Sequence, residues 1–252
     1  MPNPPMEPRD LDLLPPGWCA YPHTTTGYRV NLSFRAATRS IFHTNHNEFW
    51  MIWTDLLPLC VFVALFVIHW RQTGVSLASG VHAGVILSRF CSLVYHVYNC
   101  CSLRANQRLI YLDLIGICCM AFGSPWLYAV VYESYTFSDP GFRAYTTILT
   151  LQYACCVGLF TYAILSGAEV ARQPLLVVLA ATGNYPALHH HDPLARWAVA
   201  LFAGGYVLFY TLRFPECAFT AFDGRIWHSH VLWHLAAAGA QLCFVVLTFV
   251  KC

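Results

Sequence analysis

His230 and His234 stand one helical turn apart near the start of Ile226–Val250, an apolar run without a charged residue. Residues i and i+4 share one face of an α-helix, so the two imidazoles point the same way. Imidazole can ligate a metal or carry a proton, and an unpaired ionisable group in hydrocarbon is costly. Ser92 and His96 repeat the four-residue spacing in another apolar run, and Asp113 lies in the next one. A divalent metal beside a carboxylate and a hydroxyl is the chemistry these residue types suit. A lone histidine in such a run is more often a hydrogen-bonding core residue, and the paired spacing is what favours a ligand.

The elements that must position these groups follow from composition. The chain has 252 residues, 58% hydrophobic and 10% charged, with a mean hydropathy of +0.51. Soluble domains are about 25% charged, and a helix needs roughly 20 apolar residues to cross a bilayer core. Seven runs qualify: Met51–Trp70, Val75–Tyr98, Leu109–Tyr132, Tyr145–Leu165, Pro174–Leu188, Leu194–Leu212 and Ile226–Val250. The fifth is the weakest, being short and broken by Gly183-Asn184-Tyr185-Pro186. The expected fold is an all-α membrane protein, a seven-transmembrane helix bundle over residues 50–252, preceded by a tail over residues 1–49. That tail begins Pro-rich and acidic, without the basic-then-apolar pattern of a secretory signal, so it is expected to stay cytosolic. The glycosylation pattern at Asn31-Leu32-Ser33 reads as a chance match.

Lys and Arg placement sets orientation through the positive-inside bias. With seven spans, one side receives Arg9, Arg29, Arg35, Arg39, Arg104, Arg108, Arg172, Arg213 and Arg225. The other receives Arg71, Arg143, Arg196 and Lys251. This predicts a cytosolic N-terminus and an extracytosolic C-terminus. It also brings His96, Asp113, His230 and His234 to one depth near the cytosolic face. Arg89, on nearly the same stripe as Ser92 and His96 but deeper, must be paired or hydrated. Asp113 is one candidate partner, and a structural ion pair elsewhere is another.

Other functions lose support. Seven cysteines lie inside apolar runs, where a thiol acts as a small hydrophobe, and no CxxC suggests a zinc finger. Basic residues are too scattered for nucleic-acid binding. An ion path is disfavoured because the polar groups cluster at one depth and no internal repeat is detectable. His189-His190-His191, between Leu188 and Asp192-Pro193, reads as a solvated loop, since consecutive side chains converge poorly on one ion. Asp55 is expected to pair with a neighbouring helix or to lie exposed near the boundary.

The chain resembles the progestin and adipoQ receptor family. The matching residues are Ser92-Leu93-Val94-Tyr95-His96, Leu112-Asp113 with Gly116, Pro215-Glu216, Phe222-Asp223 and Ser229-His230-x3-His234. Gly27-Tyr28-Arg29 and Ser40-Ile41-Phe42 through Thr54 are similar to its region around the first span, and Gly123–Tyr128 is similar to adiponectin receptors. The resemblance implies seven helices and Zn2+ held by His96, His230 and His234. It also implies kinship with alkaline ceramidases, membrane hydrolases sharing one Ser, one Asp and three His. Some members are receptors for adiponectin or progestogens. Met51, Asp55 and Val231 depart from the usual pattern, which bears on substrate choice and signalling.

On this footing, three imidazoles and one open position make a catalytic type of zinc arrangement. Asp113 would serve as general base towards a water, and Ser92 would donate to the oxyanion of an amide carbonyl. The expected reaction is hydrolysis of a lipid amide such as ceramide, in the plasma membrane or the Golgi or endoplasmic reticulum. The competing expectation is a signalling receptor or scaffold in which zinc only ties helices together, with an extracellular ligand the sequence does not identify.

Overall fold

In the computed structural model, the described residues are 10–18, 21, 24–75, 77–127, 140–171, 174–175, 177–178, 192–219 and 228–250. They form a helical assembly: α1 (Phe34–Arg39), α2 (Phe49–Thr73), α3 (Leu77–Tyr98), α4 (Leu103–Leu127), α5 (Pro140–Ser166), α6 (Pro193–Gly205) and α7 (Ser229–Val250). No strand occurs among the described residues. Helix ends follow local chemistry. Ser102 accepts from Ala105 N at 3.1 Å at the start of α4. Asp192 accepts from Leu194 N at 2.9 Å ahead of Pro193, a residue type suited to the first helical position. α5 stops at Gly167, whose φ of +78° places it in the left-handed region. α6 does not stop but widens into a π-helical stretch, Tyr206–Thr211.

Among the described residues, four helices are long and apolar enough to cross a membrane: α2, α5, α6 with its π-helical extension, and α7. α3 and α4 have comparable lengths, 22 and 25 residues. Of the expected fifth span, only Pro174, Leu175, Val177 and Val178 are described, and all four are helical. The rest of that run, and His189-His190-His191, lie outside the described residues. α2 and α5 present Val61, Val67, Ile68, Ile148, Leu151, Tyr162 and Leu165 outward. So continuous an apolar face suits lipid rather than water.

α7 is the axis of the assembly. Of its most apolar stretch 61% is buried, against 22–28% for the other three, and it touches α2, α3 and α6. One core joins Phe62, Val81, Val85, Ala198, Phe244 and Leu247 across those four helices. A second joins Tyr111, Leu114, Leu149 and Phe160 between α4 and α5. Gly116 lets α4 press onto α3: a Cβ there would come within 3.0 Å of Ser88 Cα, Ser88 O and Cys91 Cβ.

The tail is docked, not loose, where it is described. Leu32 N donates to Cys100 O at 3.1 Å, and Asn47 N to Gly27 O at 3.0 Å. The buried Arg29 guanidinium spans Ser40 Oγ and His96 O, each at 2.5 Å. It thereby anchors the tail to the end of α3.

Candidate metal centre

α3 contributes Ser92 and His96, α4 contributes Asp113, and α7 contributes His230 and His234. All five side chains are buried. The start of α7 is set by Glu216, whose carboxylate accepts from Ser229 N at 2.6 Å and so fixes the helical turn carrying His230. The ligand-capable nitrogens of His96, His230 and His234 all lie within 4.8 Å of one another. The imidazole centroids are 4.8 to 5.6 Å apart. Side chains from two helices far apart in the chain, α3 and α7, thus converge on one point.

Two carboxylates not foreseen as part of the centre orient these rings. His96 Nδ1 meets Glu48 Oε2 at 2.7 Å, leaving His96 Nε2 buried without a hydrogen-bond partner. Asn99 donates to Glu48 Oε1 at 2.7 Å. Burial pushes the Glu48 carboxyl up, but His96, Arg29 and Asn99 outweigh it and hold the group at about 2. His234 Nδ1 lies 3.2 Å from Asp55 Oδ1, an ion-pair distance off the angle of a hydrogen bond. The Glu48–His96 hydrogen bond fixes the tautomer that offers Nε2 of His96 to a metal. The donor set and the orphaned Nε2 therefore fit a borderline cation such as Zn2+.

Arg89 is resolved differently from its first candidate partner. Its Nη1 donates to Asp55 Oδ1 at 2.9 Å, and its Nε donates to Gln241 Oε1 at 2.5 Å. Asp113 is not its partner. The reason is height: Arg89 lies one turn before Ser92 on α3, level with Asp55 on α2, while Asp113 faces Ser92 from α4. Asp55 is thus completely buried between an Arg and a His, satisfying the expectation of a neighbouring-helix partner.

Ser92, Asp113 and His234 line one cavity of about 30 Å³, room for one or two waters. Ser92 and the Asp113 carboxylate face the same cavity from α3 and α4. Arg89 and Gln241 close the cavity at one end, and Phe202, Trp233 and Met120 wall its side. On the cytosol-facing side of the expected orientation, Tyr21 from the tail covers the histidines. Its ring centroid is 5.1 Å from that of His230, and its hydroxyl donates to Glu48 Oε1 at 3.3 Å. Burial, then the charge on Glu48, pushes that phenol up.

With this geometry in view, comparison with known proteins agrees. Residues 43–245 match the haemolysin-III-related family, and the chain belongs to it; progestin and adipoQ receptor proteins fall within that family. The chain is also similar to an uncharacterized protein of Schizosaccharomyces pombe, 25% identical over 255 residues. The match covers 90% of this chain and 55% of the relative, so the chain spans little more than half of that protein's length. It is a helical membrane protein with a histidine cluster able to hold a metal ion.

Proposed function

We propose that the chain is a seven-span protein of the progestin and adipoQ receptor type that holds Zn2+ on His96, His230 and His234 and hydrolyses a lipid amide such as ceramide. The observation that carries this reading is the placement of Asp113 and Ser92 on the same water-sized cavity as His234. When bound, zinc would supply Lewis acidity at the reacting carbonyl and water. Asp113 accepts the proton of the attacking water and returns it to the amine nitrogen as the C–N bond breaks, and its burial excludes competing bulk solvent. The Ser92 hydroxyl, on the same cavity as Asp113, donates to the developing oxyanion. Glu48 and Asp55 keep His96 and His234 oriented throughout. The N-terminus is cytosolic and the C-terminus extracytosolic, which puts the centre near the cytosolic leaflet of the plasma membrane or of the Golgi or endoplasmic reticulum.

Purified protein in detergent, assayed for zinc content and for fatty-acid release from labelled ceramide, tests the proposal. Asp113→Asn should keep the metal and lose turnover, whereas the H230A/H234A double variant should lose both. Full turnover in the metal-free double variant would end the reading of zinc-dependent hydrolysis. The small cavity favours a second reading, a signalling receptor or scaffold with structural zinc. Zinc retained by wild type with no turnover on any ceramide supports that alternative.

A further inference from the structure

A second cavity, of about 660 Å³, opens between the first turns of α4 and the end of α5. Its size is that of a small-molecule site. Arg104 and Arg108, four residues apart on one face of α4, supply its positive charge, and Glu169 just beyond α5 supplies one carboxylate. The Arg108 guanidinium is seated rather than dangling. Nη1 donates to Leu165 O at 3.2 Å, and Nη2 lies 2.8 Å from where a Cβ of Gly167 would stand. A side chain at residue 167 would displace it. Five N–H donors are available on an Arg, so most of Arg108's remain for a ligand. Ile110, Tyr111 and Val170 make the inner wall apolar. Running away from the mouth along α5, Tyr162 and Leu165 are 59% and 73% exposed, an apolar track suited to acyl chains.

We propose that this cavity binds the headgroup of one anionic glycerophospholipid carrying a phosphate, a carboxylate and a primary ammonium, the chemistry of phosphatidylserine. Two guanidiniums and one carboxylate give the site a net charge of +1, which matches a headgroup of net −1. The arginines take the phosphate and carboxylate oxygens. Glu169 accepts from the ammonium, a bond that a choline headgroup lacks the N–H to make. A polyphosphoinositide would bring several negative charges to a site with one surplus positive. Basic pockets between membrane helices on the cytoplasmic side hold anionic headgroups in this way. The inference rests on the membrane placement proposed above and not on the zinc chemistry.

The full-length protein in detergent is titrated with short-chain phosphatidylserine, phosphatidylglycerol, phosphatidylcholine, a polyphosphoinositide and inorganic phosphate. Adducts are counted by native mass spectrometry, and bound metal is measured on the same samples. One phosphatidylserine per chain is expected, bound about 10-fold more tightly than phosphatidylcholine, with R104Q/R108Q removing that preference. Arg104 is exposed, so Arg104→Gln alone should fold normally and weaken binding if the double variant does not fold. Glu169→Gln should erase the preference for phosphatidylserine over phosphatidylglycerol while sparing phosphatidylglycerol itself. The proposal is overturned if the arginine variants bind as wild type does, if inorganic phosphate alone occupies the site, or if the polyphosphoinositide displaces phosphatidylserine. Metal content is expected to stay constant throughout, so failure here leaves the zinc reading untouched, and loss of zinc chemistry elsewhere leaves this site untouched.

Discussion

Glu48 decides which nitrogen of His96 is free, and Asp55 lies at ion-pair distance from His234. Replacing Glu48 with Gln keeps the shape but removes the charge that holds the His96 ring, and metal affinity should fall by about 10- to 100-fold in a chelator competition. Asp55→Asn should do more, because it also strands the buried Arg89. Losing one partner of a buried pair costs about 3–5 kcal/mol, readable as a lower melting temperature in detergent. The sequence showed both acids but not their role. A carboxylate seven residues from another reveals nothing about which imidazole it meets until helices from distant segments are packed together. The His230–His234 pair, by contrast, was legible from spacing, because one turn of helix is a local property, and His96 joined it through the expected depth and the family resemblance. His46 makes a separate prediction outside the spans. Its Nε2–H donates to Ser40 O, 2.9 Å away, and burial, then Arg29, lowers its pKa from 6.5 to about 4. Between those values the unfolded chain binds the extra proton, so folded-state stability declines as pH drops from about 6.5 to about 4, by up to ~3 kcal/mol. His46→Asn should flatten that part of the melting-temperature profile.

At the level of elements, the α3–α4 seam sets the distance between Ser92 and Asp113. Gly116→Ala would press a methyl onto Ser88 and Cys91, where only 3.0 Å is available. Overpacking of this kind costs about 1–3 kcal/mol. The expected outcome is a lower melting temperature and weakened turnover with metal content retained, since α7 carries two of the three ligands. Helix positions were readable in advance because apolar runs of membrane length leave few alternatives. The first two residues of the run expected from Ile226 lie outside the described residues. Ser229 begins α7 because Glu216, thirteen residues upstream, caps its N–H, and no local pattern announces a cap from that distance. The docking of the tail was equally hidden, since Arg29 binds a carbonyl of α3 far along the chain.

For the molecule as a whole, the arrangement of charges predicts topology. An epitope at the N-terminus should be reachable by antibody only after the plasma membrane or vesicle is permeabilised, and one at the C-terminus without permeabilisation. Equal accessibility of both ends would contradict the proposed seven spans. The polar centre sits where two sides of the bundle are tightly closed: Gly205 of α6 lies so near α7 that a Cβ there would meet Ala236 Cβ at 2.7 Å. A chamber that admits a water or two is far smaller than any acyl chain. If lipid is cleaved there, each turnover must prise α6 from α7, and that separation works against the lateral pressure of the surrounding lipids. The clock of such an enzyme would then be mechanical: stiff, thick bilayers should slow it and fluid ones should quicken it, with the metal bound equally well in both.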